Sequence, residues 1–260
     1  MRVMLALDVG NTNIALGVYD GAELLHHWRL RTVRDQTEDE LGLSIKALFN
    51  DVRLDPACVA GVAISCVVPP LLPALERMSR QYFQLQPIFV THETCGLEIL
   101  YDSPREVGAD RLVNAVAAIE DYGPPLIIVD FGTATTWCVI DERGRYVGGL
   151  IAPGIQIAAE ALFQRAAKLP RIELSKPPTV VGRNTVEAMQ AGVLFGYVGQ
   201  IEGVVSRIRA ECGWSGRVIA TGGLAELVAG ETTAIDVVDP YLTLRGLRLI
   251  WQRQAPRVTA

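Results

Sequence analysis

Asp8 and Asp130 each stand two residues before a glycine, in "LALDVGNTNIALGVYDG" (5–21) and "LIIVDFGTATTWCVIDERG" (126–144). Each closes an apolar run, and amide or hydroxyl side chains fill the positions that follow. Glycine at such a bend lets backbone N–H groups face an anion with no Cβ in the way. The Asn and Thr groups after it add donors for phosphate oxygens. A carboxylate repels phosphate, so Asp8 and Asp130 fit such a turn if a cation or its water shell lies between. Two such turns, one from each half of the chain, would face each other across a cleft and clamp a triphosphate. Either turn alone also reads as an ordinary Asx-type turn; the matched pair favours phosphate.

A phosphotransferase also needs a base. In "YDSPREVGADRLVNA" (101–115) a proline-bent approach leads to Gly108 and then to Asp110-Arg111 at a helix start. An acidic residue there suits the helix dipole without further purpose. The functional reading has Asp110, at its ordinary pKa, accept the proton of an acceptor hydroxyl late in a loose transition state. Arg111 would then hold an acidic acceptor's carboxylate by paired hydrogen bonds. "TGG" (221–223) follows an apolar strand and precedes a helix. Gly222 and Gly223 would let an adenine or ribose lie against the backbone; a tight strand-to-helix connection explains them as well.

These residues need strands that end together and helices that begin there. Asp8 aligns with Asp130 and Gly10 with Gly132, both 122 residues apart. A second matched pair runs strand, turn, helix: "GVAISCVVPPLLPAL" (61–75) and "RVIATGGLAELVA" (217–229). Matches in the same order imply a duplicated α/β domain. Thr37 with Glu40 forms a capping box before Leu41, Ile45, Leu48 and Phe49 at helical spacing. Further helices are expected over 110–119, over 155–167, and from Asn184 with Glu187 towards Arg209. Alternating strands and helices predict an α/β fold with mixed sheets flanked by helices. "DYGPP" (121–125) marks the break, giving domains 1–122 and 123–260. The first carries one phosphate turn and the candidate base; the second carries the other turn and the adenosine site.

Composition narrows the classes. The chain has 260 residues, half of them hydrophobic, enough for a large core. Net charge is −5 with no basic run, which argues against a nucleic-acid partner. Four prolines interrupt the long uncharged run 56–75, so no membrane span is expected. Arg2 followed by Asp8 does not make a signal-peptide core. Cysteines 58, 66, 95, 138 and 212 lack C-x-x-C spacing and read as buried free thiols of a cytoplasmic protein. His26 and His27 would point to opposite faces of a strand, against a zinc site. Glycines 192, 196, 199 and 203 suggest close helix packing, within the fold or across a dimer. Trp28, Trp137, Trp214 and Trp251 read as core or interface. No G-x-x-x-x-G-K-[ST] occurs, so backbone amides and cations must replace a P-loop lysine.

D-x-G-N-T, Y-x-x-P-x-x-x-G-A-D-R, "DFGTATT", "GGLIAPG" (148–154), a Thr opening a late helix and "TGG" occur in this order. The set resembles the type III pantothenate kinases, from Leu5 to about Leu247. The resemblance implies two ribonuclease-H-like domains of the actin-like ATPase (sugar kinase, heat-shock ATPase, actin) superfamily. It implies ATP-dependent phosphorylation of pantothenate to 4'-phosphopantothenate, the first step of coenzyme A biosynthesis. It also implies a homodimer, a monovalent cation (potassium or ammonium), and magnesium with ATP. By the same resemblance Asp8, Val9, Gly10, Asn11, Thr12, Asn13, Ile14 and Ala15 form the ATP phosphate loop, and Thr133 is an ATP contact. Tyr101, Gly108, Ala109, Asp110 and Arg111 are pantothenate positions, with Asp110 the proton acceptor. Asp130 is the monovalent-cation ligand, and Thr185 a substrate contact near the dimer interface. Two rivals stand beside this reading: another small-molecule kinase of the superfamily, and a nucleotide-binding regulatory protein without turnover.

Overall fold

The structure, a computed structural model, describes residues 2–254. Within them two compact units form: 2–97, 102–117 and 242–254 make the first, and 98–101 with 118–241 the second.

In the first unit, strands β1 (Val3–Val9), β2 (Asn13–Asp20), β3 (Glu23–Arg31), β4 (Val59–Cys66) and β5 (Ile88–Phe89) form one sheet in the order β3-β2-β1-β4-β5. β1 pairs antiparallel with β2 and parallel with β4. β1 is an almost unbroken apolar run because both of its faces are covered. Leu5, Leu7 and Val9 share a core with Val62 and Ile64 and with helices α1 (Glu38–Asp51) and α2 (Leu72–Phe83), through Leu41, Ile45, Phe49 and Met78. The capping box of Thr37 and Glu40 opens α1 as expected; such a cap is worth about 1 kcal/mol. β3 lies at the sheet edge and carries Arg29 and Arg31, charge that discourages edge-to-edge pairing.

Helix α3 (Ala109–Tyr122) starts in this unit, longer at both ends than the expected 110–119.

The second unit repeats the plan. Strands β6 (Leu126–Phe131), β7 (Ala134–Ile140), β8 (Tyr146–Pro153), β9 (Arg217–Thr221) and β10 (Val237–Val238) form a sheet in the order β10-β9-β6-β7-β8. β6 is antiparallel to β7 and parallel to β9, as β1 is to β2 and β4. The duplication inferred from two sequence pairs is therefore a duplication of topology. Ile127, Val129, Phe131 and Trp137 form a core with α4 (Ile155–Arg165), α5 (Thr185–Cys212) and α6 (Ala225–Ala229). Asn184 caps α5, its side chain accepting from the Glu187 N–H at 2.9 Å. α4 stops at Arg165, short of the expected 167.

Two features depart from a division at 122/123. The crossing between units falls inside continuous α3, and helix α7 (Leu242–Gln254) belongs to the first unit. The second departure has a packing cause: α7 lays Trp251 over Gly61 of β4 and Gly246 on Val113 of α3. Any side chain at Gly246 would overlap the Val113 carbonyl oxygen, so only glycine allows that approach.

Trp137 is fully buried, and Trp28 packs against Phe49 with ring centroids 6.1 Å apart, so both belong to the core. Glycines 192, 196 and 199 do not serve packing within the described chain: a Cβ at any of them would meet nothing within 4 Å. No helix among the described residues is long and apolar enough to cross a membrane.

Candidate active site

In the first unit, Asp8 is the penultimate residue of β1, and Gly10–Thr12 turn the chain into β2. The Gly10 N–H donates to the Asn13 carbonyl at 3.0 Å, closing the bend. Thr32, just past β3, braces it: its hydroxyl donates to the Gly10 carbonyl at 2.6 Å, and its N–H to the Thr12 carbonyl at 3.0 Å. Asn11, Thr12 and Asn13 are exposed, while Val9 and Ile14 are buried in the core and Ala15 is half-buried. The bend thus presents small polar groups from a rigid base.

Register decides which way Asp8 points. Leu7 pairs with Ile64 and Val9 with Cys66, all on the α1/α2 face. Asp8, which pairs with Ser65 between them, projects from the opposite face.

α3 begins beside β4. A Cβ on Gly108 would lie 3.7 Å from Val67 Cγ1 and 2.5 Å from Asp110 Oδ1, so Gly108 makes room for the carboxylate to fold back over the helix start. The Arg111 N–H donates to Asp110 Oδ1 at 2.8 Å. Burial raises the Asp110 carboxyl above its ordinary value; the Arg111 N–H and guanidinium oppose this without cancelling it. The expectation of an unshifted Asp110 is therefore corrected: α3 holds this group in a drier place than a helix terminus in water. Arg111 is itself only 6% exposed. A cavity of about 460 Å³, lined by Cys66, Leu72, Glu76 and Phe89 among others, contains none of these residues.

In the second unit, Asp130 is the penultimate residue of β6, and Gly132-Thr133, both exposed, turn into β7. The Gly132 N–H donates to the Ala134 carbonyl at 3.1 Å, a bend one residue shorter than the first. Gly154, which caps α4, lies directly against Thr133, its N–H donating to the Thr133 carbonyl at 3.1 Å. Residues of "GGLIAPG" thus support the turn. Gly222 touches Asp130: a Cβ there would sit 2.7 Å from Oδ1. Gly223 follows it, exposed. Asp130, Gly132, Thr133 and Gly222 are therefore brought together.

Tyr101 lies elsewhere in this unit, its ring 3.8 Å from where a Gly148 side chain would begin. Thr185 opens α5 at the rim of a groove of about 800 Å³ that Leu162, Ala188, Gly192, Gly196 and Tyr197 also line. The Tyr197 hydroxyl donates to the Pro153 carbonyl at 2.7 Å.

Cation binding can be judged from the oxygens present. Asp8 pairs in register with Ser65, whose buried hydroxyl has no hydrogen-bond partner among the described residues, and Asp130 pairs with buried Thr221. A carboxylate beside a hydroxyl is a set of hard oxygen donors, which suits magnesium or potassium and their waters rather than a thiophilic metal. Ser65 is the group that sequence reasoning passed over. It reads as one residue of a strand, and only the β1–β4 register sets it beside Asp8.

A family model described as Type III pantothenate kinase matches residues 4–207. The chain is 59% identical over 256 residues to the type III pantothenate kinase of Geobacillus kaustophilus (strain HTA426), covering 98% of this chain and 99% of that one. Among solved structures it is similar to the ethanolamine utilization protein EutJ from Carboxydothermus hydrogenoformans, with TM-score 0.55 at 16% identity, covering 96% of this chain and 90% of that one. It is also similar to an inorganic polyphosphate/ATP-glucomannokinase from Arthrobacter sp. strain KM, with TM-score 0.50 at 13% identity, covering 97% and 100%. At such identities the two structures bear on the fold alone, which is that of the actin-like ATPase and sugar-kinase superfamily, with duplicated mixed sheets flanked by helices.

Proposed function

This chain belongs to the type III pantothenate kinase family, and we propose that it transfers the γ-phosphoryl group of ATP to the primary hydroxyl of pantothenate, in the cytoplasm. The hydroxyl oxygen bonds to the γ-phosphorus while the bond from phosphorus to the β–γ bridging oxygen breaks. ADP leaves with that oxygen, and the hydroxyl proton passes to Asp110.

Asp110 is the observation that carries this reading. It stands at the start of α3, where Gly108 makes room for it and burial makes it more basic, as a general base requires. In a loose transition state the acceptor oxygen stays protonated until late, so orientation by Asp110 matters as much as its basicity. Arg111 holds the pantothenate carboxylate, and Gly108, Ala109, Tyr101 and Thr185 complete the acceptor contacts. Asp8 to Ala15 bind the ATP phosphates with Thr133; Gly222 and Gly223 receive the adenosine.

Asp8 would hold the magnesium that comes with ATP, and Asp130 would hold potassium or ammonium. When bound, these cations neutralise charge on the phosphate oxygens. The two turns carry no lysine or arginine of their own, which supports assigning them that need.

The protein works as a homodimer through the groove of α4 and α5. Leu162, 40% exposed, lines it beside Gly192 and Gly196, which leave open space. A second copy of the same face would fill that space with apolar contact.

A coupled assay of ADP release, with and without pantothenate and with and without potassium, tests the proposal. Release that needs pantothenate and rises with potassium is expected. Release with a different acceptor instead points to another kinase of the superfamily; ATP binding with no release under any acceptor points to a regulatory protein.

A further inference from the structure

Ser65 sits at the end of β4 with a side chain fully shielded from solvent, and its Oγ has no hydrogen-bond partner among the described residues. A buried hydroxyl without a partner costs stability, and alanine would fill the position without that cost. The hydroxyl therefore points to a partner that arrives from outside the chain. Its surroundings say where. β4 runs parallel to β1 in a register that makes Ser65 the neighbour of Asp8, on the face away from α1 and α2. Parallel strands lie about 4.8 Å apart, so one water spans the gap between side chains at paired positions. Val67, two residues on and so on the same face, adjoins Gly108 and hence the start of α3 that carries Asp110.

The second unit repeats the juxtaposition. β9 runs parallel to β6, and Thr221, 2% exposed, is the register neighbour of Asp130. The residues around the two hydroxyls differ, Ile64 and Cys66 in one case and Ala220 and Gly222 in the other. The carboxylate and the hydroxyl on the adjoining strand are common to both.

We propose that Ser65 is a positioning residue for phosphoryl transfer: its hydroxyl donates to a water in the shell of the magnesium that enters with ATP, fixing that water against Asp8. This rests on the function proposed above. Ser65 touches neither pantothenate nor the transferred phosphoryl group in this assignment, so its effect is on metal affinity.

The test is the Mn²⁺ affinity of the complex with the non-hydrolysable analogue AMP-PNP, read by electron paramagnetic resonance. Ser65→Ala is expected to weaken Mn²⁺ binding about tenfold, the scale on which groups that orient metal ligands act. Ser65→Thr, the residue type found at the equivalent place in the second unit, is expected to restore most of it. The pantothenate KM stays at the wild-type value and the melting temperature of Ser65→Ala does not fall, whereas a merely structural serine would lower it. Ser65→Cys, of similar size and a poor donor, is titrated beside it with the same expectation; a Ser65→Ala chain that fails to fold, with wild-type Mn²⁺ binding by Ser65→Cys, marks the serine as structural and overturns the assignment. A wild-type Mn²⁺ titration in the hydroxyl-free variant overturns the assignment, as does AMP-PNP binding by the wild type that needs no metal. Pantothenate-dependent ADP release by the wild type is scored separately. If release fails while the Mn²⁺ shift appears, the acceptor is wrong and the role of Ser65 stands.

Discussion

Gly222 presses against Asp130 so closely that a Cβ would begin 2.7 Å from Oδ1 and equally near the Phe131 backbone nitrogen. Its φ of +93° is one that side chains rarely adopt. Both constraints act at the strand end where β9 adjoins β6, so the glycine leaves the carboxylate the room it occupies. Gly222→Ala is expected to destabilise the protein by about 1–3 kcal/mol and to displace Asp130. Thermal melts and a potassium titration of the rate read the two effects. A variant that melts and responds to potassium like the wild type removes Gly222 from any role in placing Asp130.

Asp130→Asn separates charge from shape. The amide keeps the side chain's size beside Gly222 and loses the negative charge that a monovalent cation needs. The potassium concentration for half-maximal rate is expected to rise by about tenfold or more, with little change in melting temperature. An unaltered potassium titration would place the cation elsewhere.

Much of this arrangement was legible in the sequence, for identifiable reasons. The acid-glycine turns, the Thr37–Glu40 box and the Asn184 cap are local, so spacing alone exposes them. The duplication was legible because its two pairs kept their order. What stayed hidden depends on tertiary placement. Nothing between Leu242 and Gln254 says that this helix returns to the first unit, because the surfaces it packs on, the bare backbone at Gly61 under Trp251 and Val113 against Gly246, lie far along the chain. Ser65 gains its meaning from β1, 57 residues earlier, and Asp110 its raised pKa from packing around α3. The glycines of α5 suggest packing within the fold or across a dimer, and a stripe of small residues looks the same whether its partner is a helix of the fold or a second chain.

Asp110→Asn should bind ATP and pantothenate and lose turnover by on the order of 10²- to 10⁴-fold, the usual contribution of a general base. Isothermal titration of each substrate beside the steady-state rate checks both halves. Unchanged turnover would take Asp110 out of the base role.

The same carboxyl gives a pH signature in stability. Folding raises its pKa above the ordinary 3.8, so the folded state keeps the proton to higher pH than the unfolded chain. Below 3.8 both states are protonated and the group has no net effect. As pH climbs from there through the raised folded value, the unfolded chain loses its proton first and stability falls. Above 3.8 the cost of ionising this buried carboxyl, or of holding its proton, is a liability that asparagine lacks. Asp110→Asn should melt higher than the wild type at pH 7, and the gap should close on acidification towards 3.8. A gap that stays constant across that window would show that charge is not its cause. In the rate, protonation of the base should cut turnover at a pH above the usual carboxylate range.

Gly196 distinguishes an open groove from a covered one. Nothing lies within 4 Å of a Cβ there and the groove it lines leaves space for the rest of a leucine, so Gly196→Leu is accommodated in the isolated chain and even favours the helix, by up to about 1 kcal/mol. In a dimer formed through α4 and α5, the same leucine enters space that the second copy occupies. Light scattering should then give a dimer mass for the wild type and a monomer mass for the variant, with secondary structure unchanged by circular dichroism. Because Thr185 lies on the same groove, the variant should raise the pantothenate KM more than the ATP KM. Thr185→Ala should show the same bias with the dimer intact. A dimer mass for Gly196→Leu would move the interface to another face and leave the glycine stripe without that purpose.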